Sequence, residues 1–494
     1  MTSIAKGAGI FLLGAIAGTG LKYLFELFLA RKLGPALFGI FFLGITVFKL
    51  LEKIAALELN SGMLRFVPIF RGEGNTERVK GTVIAGLRIA SLMAAGATIL
   101  LIIFSQVLAK NVFHAQQLSA VLRFLALGLI LTAATEIIVF SLQAFGAVQY
   151  RVLVRQIIEP ALSLLLAVPL LILGWGLNGA IMAFLLPLPI GFLLACSFLK
   201  KVFPAIAKRD TAAVSDTKSL LRFSLPLFLA GLLSLFLQQI NPLMLGYFRP
   251  SGEVGVFAAA LRTALLLLLI LDSFNAIFSP MISDLLNKGA GEKLEELFKI
   301  VTKWVLTLSF PALLVLISFG GEILALWGKG YREGLTCLVI LCLGQFINCA
   351  TGPVGYMISM SGRTKISLAN AAGALLINII LNILLIPRYG ILGCAVAVAA
   401  AVSLINLIRL VEVWLILKVH PYRLDTFKPL AAGAAAFFIL FIVKTKLLHF
   451  DGTLLRIALG TLIFAACYAA LLALLGIAEE EKLVFNRIKH KIFS

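Results

Sequence analysis

Lys49 and Lys53 stand four residues apart in an otherwise apolar run, with Glu52 beside them. Four-residue spacing on a helix puts two side chains on one face, and a single carboxylate can neutralise only one of two ammonium groups. The surplus positive charge, facing a cavity, suits an anion such as a phosphate or pyrophosphate. Other ionisable residues occupy similarly apolar surroundings. Lys22 and Glu26 lie one turn apart, followed by Glu58, Arg88, Arg123, Glu136 and Glu159, and later by Arg262 and Asp272. An Arg, Lys or Asp at the centre of a membrane helix costs about 2.5–3.5 kcal/mol on insertion scales, so such groups turn toward an interior or a watery space. The candidate substrate-binding cations are therefore Lys49, Lys53, Arg88, Arg262, Lys22 and Arg123. Of these, Lys22 and Arg123 lie near span ends, where a long side chain can instead snorkel to the interface. Glu26, Glu52 and Asp272 are candidates to carry a coupling proton or sodium ion, or to serve as ion-pair partners of the cations.

The remaining chemistry-bearing residues form no pattern. The six cysteines (Cys196, Cys337, Cys342, Cys349, Cys394 and Cys467) make no CxxC motif and read as packing residues. The four histidines (His114, His420, His449 and His490) are scattered near loops and ends. No catalytic set, metal site or cofactor is expected, and the chain does not read as an enzyme.

The elements that must position these charges are apolar runs. Of 494 residues, 61% are hydrophobic and 13% charged, with a mean hydropathy of +1.06. Soluble domains are roughly 45–50% apolar and about 25% charged. Runs of about 20 residues, enough to span a bilayer as a helix, follow one another along the whole chain. In lipid every backbone polar group must be paired internally, which leaves helices or closed barrels. Barrel strands alternate apolar and polar residues, whereas runs such as ALLLLLILDSFNAIF are continuous, so helices are expected. About 14 spans follow, with approximate cores at 8–30, 38–66, 82–108, 119–145, 152–173, 177–199, 220–247, 254–282, 300–319, 334–360, 366–386, 392–417, 427–443 and 454–477. Connections are short, and none is long enough for a separate soluble domain.

The net charge of +20 could suggest a nucleic acid partner, but the basic residues fall mostly between apolar runs, where the positive-inside rule puts them. With the N-terminus inside, the inner connections hold many cations, among them Arg151, Arg155, Lys208 and Arg209, and the tail holds Lys482, Arg487, Lys489 and Lys491. The outer connections hold fewer. The asymmetry predicts cytoplasmic termini and an even number of spans.

The chain also repeats itself. Gly39 corresponds to Gly255, Pro68 to Pro280, Gly146 to Gly362 and Gly179 to Gly393, in the same order and at offsets of 212–216 residues. Four ordered matches argue for a duplicated six-helix unit. Six spans return the chain to its starting side, so the halves share one orientation and are expected to be related by an axis along the membrane normal, as in carriers that alternate access by rocking one half against the other. The expected organisation is a six-helix lobe over 1–201, a cytoplasmic linker over 202–218, a second lobe over 219–420, and two further helices with a cytoplasmic tail over 421–494.

Several of these stretches resemble the polysaccharide flippases of the multidrug/oligosaccharidyl-lipid/polysaccharide exporter superfamily. They are ARKLGPALFGIF after the first span, RFVPIF closing the second, then ALRTALLLLL, SGRTK and LIPRYGILGCAVA. The resemblance runs from Gly9 to about Lys418. It implies two six-helix lobes in a V, usually with two added helices, and transfer of undecaprenyl-diphosphate-linked oligosaccharide from the inner to the outer leaflet for cell-surface polysaccharide such as O-antigen or lipopolysaccharide. It also implies a cationic central cavity for the headgroup, a role open to Lys49, Lys53, Arg88 and Arg262. The expected location is the inner (plasma) membrane, and the expected partners are the lipid-linked oligosaccharide, membrane lipids and polysaccharide-assembly proteins. Relatives in the superfamily move peptidoglycan precursor or expel drugs. A drug/cation antiporter would want an acidic cavity, which the Lys/Arg surplus opposes. A membrane glycosyltransferase or polymerase commonly displays its site on a sizeable outer loop, which this chain lacks.

Overall fold

The structure, a computed structural model, describes residues 2–208, 210–446 and 452–475, with the side chains of 2–12 left aside. Arg209, His449, His490 and the tail cations Lys482, Arg487, Lys489 and Lys491 lie outside the described residues, as does the end of the last expected span.

The described chain is helical throughout, with no strand. In chain order the α-helices are α1 (Thr2–Ala56), α2 (Leu59–Gly72), α3 (Thr76–Val107), α4 (Leu118–Ala144), α5 (Val148–Val152), α6 (Glu159–Ile172), α7 (Gly176–Leu185), α8 (Pro187–Val202), α9 (Thr217–Phe248), α10 (Ser251–Ala264), α11 (Leu268–Asn287), α12 (Gly291–Ser318), α13 (Gly320–Trp327), α14 (Leu335–Ala350), α15 (Val354–Met360), α16 (Thr364–Leu417), α17 (Lys428–Lys446) and α18 (Thr453–Leu474). A π-helical turn over Leu153–Ile158 joins α5 to α6.

Among the described residues, twelve helical stretches are long and apolar enough to cross a membrane. Two are too long for one crossing. The stretches Leu13–Gly72 and Thr364–Leu417 hold 60 and 54 residues, about 80–90 Å of helix at 1.5 Å per residue against a hydrocarbon core of about 30 Å. Each is broken by a glycine in left-handed backbone, Gly34 at φ 75 and Gly390 at φ 55. A residue with a Cβ would strain there. Pro35 follows the first break and Pro387 precedes the second, and neither can continue the backbone hydrogen-bond ladder. Each long stretch is therefore two spans, and twelve stretches become the fourteen spans expected. The second span is itself interrupted at Leu57 and Glu58, with φ 45 and 54.

The turns repeat as the sequence does. Left-handed glycines recur at corresponding places: Gly74 and Gly289 (φ 71 and 65), Gly146 and Gly362 (φ 85 and 77), and Gly176 and Gly390 (φ 50 and 55).

Packing divides the chain into two compact units. The first comprises Met1–Arg262, Leu326–Gly334 and Ala371–Ala397, and the second Thr263–Ala325, Leu335–Asn370 and Val398–Ser494. In the first, α4 is the central helix, with Leu122, Leu125, Leu129, Ile137 and Leu142 fully buried. Small residues let backbones approach, as membrane helices require where lipid is no less apolar than a side chain. On α1, Gly14 and Gly18 bring the helix against Val152 at the end of α5 and Gln156 of the π-helical turn. Gly39 and Gly255 face each other across α1 and α10, so that a Cβ on Gly39 would meet the carbonyl of Ser251 and one on Gly255 the carbonyl of Pro35. In the second unit α17 and α18 pack on α12. Phe319, Ala432, Ala436, Leu440, Phe464 and Tyr468 form one buried cluster, the Tyr468 hydroxyl donates to the Thr307 carbonyl at 2.9 Å, and Lys303 pairs with Asp425 at 3.0 Å.

Candidate functional site

A cavity of about 310 Å³ lies within the first unit. Its walls come from both spans of α1, from α4, from the π-helical turn with α6, and from the α7–α8 pair. Two aspects of local sequence shape it. The π-helical turn carries Arg155, and Glu159 at the start of α6 follows it on the cavity wall; single π turns inside α-helices often mark functional sites. On α8, Gly191 leaves the space that the Glu159 carboxylate fills.

Seven charged side chains line the cavity: the cations Lys22, Lys49 and Arg155, and the carboxylates Glu26, Glu52, Glu136 and Glu159. Arg155 sits among three of the carboxylates. Its Nε donates to Glu136 at 2.8 Å, its Nη1 to Glu159 at 2.8 Å, and its Nη2 to Glu52 at 3.5 Å and to the Thr132 carbonyl at 3.2 Å. A guanidinium carries five N–H donors in a planar fork, which is why one arginine can serve several carboxylates. The fourth carboxylate, Glu26, accepts from Arg262 Nε at 2.6 Å, and that guanidinium also lies 5.2 Å from the Phe42 ring centre. Lys22 and Lys49 form no ion pair or hydrogen bond with any described residue. Phe25, Phe41, Phe48 and Phe184 supply the apolar wall.

The candidate residues thus sort into groups. Lys22, Lys49, Glu26 and Glu52 line the cavity together, and Arg262 reaches its edge through Glu26. Lys53 does not line it. The left-handed kink at Leu57–Glu58 leaves Glu58 paired with Lys53, and Gly231 of α9 packs against both side chains. Arg123 donates to Ser105 Oγ at 2.9 Å, and Arg88 is exposed on α3; neither lines the cavity. Asp272 belongs to the second unit, where it is exposed on α11. From sequence Arg155 reads as part of an inner connection, and Glu136 and Glu159 read as span-interior charges with no role. The signal that could have found them is the recurrence of Glu52, Glu136, Arg155 and Glu159 at span-interior positions of neighbouring helices. Among the amides, Asn382 donates to Asn241 of α9 at 2.8 Å, a tie of the kind that holds membrane helices together, and to Asn378 one turn away on its own helix at 3.0 Å. All six cysteines are free thiols.

These features define a polytopic, all-α membrane protein with a charged cavity inside its N-terminal half. Comparison with known proteins carries this further. The family model described as "Polysaccharide biosynthesis protein" matches residues 4–286, more than half of the chain, and a second, MatE, matches residues 226–384. The chain belongs to the polysaccharide biosynthesis protein family, within the multidrug/oligosaccharidyl-lipid/polysaccharide exporter superfamily. It is 22% identical, over 80% of each chain, to the probable low-salt glycan biosynthesis flippase Agl15 of Haloferax volcanii. Its fold matches that of the lipid II flippase MurJ in an inward closed conformation, with a TM-score of 0.75 at 16% identity over 94% of this chain and 98% of that one. It also matches a multidrug resistance MATE family transporter in an inward-facing conformation, with a TM-score of 0.68 at 17% identity over 83% of this chain and 98% of the other.

Proposed function

We propose that this protein is a flippase that moves a polyprenyl-diphosphate-linked oligosaccharide, in the undecaprenyl form, from the inner to the outer leaflet for cell-surface polysaccharide assembly. The observation that carries this reading is the pair of unpaired ammonium groups, Lys22 and Lys49, in a cavity within the span of the membrane helices. A cation without a hydrogen-bonded partner is expensive there, and a phosphorylated headgroup supplies one. Charged or hydroxyl-rich heads cannot cross hydrocarbon unaided, whereas a polyprenyl tail is at home in it. A polar cavity open to lipid separates the two. Transport of this kind makes and breaks no covalent bond, so no catalytic group is required.

The organisation that suits the task is two six-helix lobes, 1–201 and 219–420, joined by a cytoplasmic linker over 202–218, with helices 13 and 14 and a tail in 421–494. Both termini then face the cytoplasm, as the distribution of Lys and Arg favours. Left-handed glycines at matching turns support the duplication, and inherited rocking of one lobe against the other gives alternating access. The glycan biosynthesis flippase among the relatives supports the choice of cargo. Peptidoglycan precursor shares the diphosphate and would use the same two lysines.

A second reading, a drug/cation antiporter, draws on the four carboxylates of the cavity and on the MatE match. Reconstituted liposomes distinguish the two. The flippase reading expects the protein to move a fluorescent polyprenyl-diphosphate-linked oligosaccharide to the leaflet where an external lectin or quencher meets it, and to leave a lipophilic cation unmoved. Proton- or sodium-driven cation efflux without lipid movement would establish the antiporter instead.

A further inference from the structure

Counted by residue type, the cavity is not cationic. Four carboxylates line it against three cations, and a cavity of that composition would repel a diphosphate. Its behaviour depends on which charges are already committed. Glu26 is engaged by Arg262 from outside the lining set. The other three carboxylates all converge on Arg155, and what remains uncommitted is Lys22 and Lys49.

We propose that Arg155 is a positioning residue that gathers Glu52, Glu136 and Glu159 around its guanidinium and so keeps Lys22 and Lys49 free to receive an anionic headgroup. Only the identity of the headgroup rests on the flippase reading; the charge sorting itself does not. Geometry gives the assignment its force. Glu52 and Lys49 lie three residues apart on one helix and both line the cavity, so with the arginine gone Lys49 is a cation within reach of the freed Glu52 carboxylate. Lys22 borders the same space as Glu136 and Glu159. A lysine could not replace the arginine, because one ammonium offers three donors from a single point and cannot hold three carboxylates in a plane. The π-helical turn is part of the device. It presents Arg155 and Glu159 on adjacent turns, while Gly14 and Gly18 of α1 admit that turn at close range.

The arrangement is tested with the full-length protein in lipid nanodiscs by two readouts. The first is acetylation of individual lysines by an amine-reactive ester, followed by mass spectrometry, which reports pairing without reference to cargo. The second is binding of inorganic pyrophosphate. In R155Q the freed carboxylates pair with Lys22 and Lys49, so acetylation at these two positions falls relative to Lys53, and pyrophosphate affinity falls by about tenfold or more, the equivalent of one lost charge-assisted contact. R155K behaves like R155Q. Neutralising the carboxylates as well, in R155Q/E52Q/E136Q/E159Q, returns both readouts to wild-type levels, which an arginine of merely structural importance would not allow. That variant leaves no unpaired charge in the cluster and stands alone as the test if R155Q does not accumulate, since removing a whole buried ionic cluster is tolerated better than removing one partner. Unchanged labelling of Lys22 and Lys49 in R155Q, or a folded quadruple variant in which their labelling stays suppressed, overturns the assignment. Wild-type protein that shows the labelling pattern but ignores pyrophosphate keeps the role of Arg155 and removes the anionic cargo.

Discussion

Substituting Gly39 and Gly255 offers a test of how far the duplication reaches into packing. The two glycines are equivalent positions of the repeat, and so are the residues each one faces: Gly39 meets Ser251, and Gly255 meets Pro35. In both directions an added methyl group would overlap a backbone carbonyl, which has no rotamer to swing aside. Either Gly39→Ala or Gly255→Ala must therefore push α1 and α10 apart until carbon and oxygen reach ordinary contact. Overpacking of this kind costs about 1–3 kcal/mol. The reciprocity makes a sharper statement. Once the helices have separated to admit one methyl, much of the room for the other exists, so the double variant is destabilised by clearly less than the sum, with a coupling of about 0.5–3 kcal/mol between contacting sites. Gly20→Ala, at a position where an added Cβ meets nothing within 4 Å, is the control. Reversible unfolding of the four proteins in detergent or nanodiscs, read as a double-mutant cycle, measures this. Single variants as stable as the Gly20→Ala control, or strict additivity of two large effects, would refute the reciprocal contact.

Other substitutions separate the cavity from its surroundings. Gly191→Ala places a methyl group on the Glu159 carboxylate, so it should weaken the Glu159–Arg155 pair and lower transport, while Gly96→Ala, which meets nothing, leaves both unchanged; flux in proteoliposomes decides. Lys53→Gln breaks a pair with Glu58 outside the cavity, so it should lower stability more than headgroup affinity, and Lys49→Gln should do the reverse; thermal unfolding and pyrophosphate binding measured on the same samples show the split. At the start of α9 the Asp216 carboxylate accepts from the Ser219 backbone N–H at 3.0 Å, and this hydrogen bonding to Ser219 holds the carboxyl below its usual range. A depressed carboxyl contributes stability above its unfolded value and loses it as pH falls through the folded one. Protection of the Ser219 amide from hydrogen exchange, taken relative to its intrinsic rate at each pH, should therefore fall on acidification, and Asp216→Ala should abolish that dependence.

Much of the fold is legible in the sequence because lipid imposes strict requirements on helices. Spans must be about 20 apolar residues long, and glycine and proline must stand where a long apolar stretch is broken, as Gly34–Pro35 and Pro387–Gly390 do. The repeat is legible for the same reason, since left-handed turns at Gly146 and Gly362 demand the same residue in both halves. The cavity is legible only in part. Lys49 and Glu52 declare themselves by helical spacing, and Lys22 and Glu26 likewise. Lys53 misleads because its partner Glu58 lies at a left-handed kink that non-glycine residues rarely adopt. Arg262 finds Glu26 236 residues away, a pairing no local pattern encodes. Arg155 was hidden by its place near a predicted span end, where an arginine reads as an orientation signal, and by a π-helical turn that shifts it onto the cavity wall.

The central claim, that Lys22 and Lys49 receive an anionic lipid headgroup, is tested most directly by the rate at which K22Q/K49Q liposomes expose a polyprenyl-diphosphate-linked oligosaccharide. Two contacts to a charged group are together worth about 3–6 kcal/mol, or roughly two to four orders of magnitude in affinity. The inserted, folded double variant is expected to lose exposure of the lipid while K53Q liposomes retain it. Wild-type exposure by the double variant would contradict it.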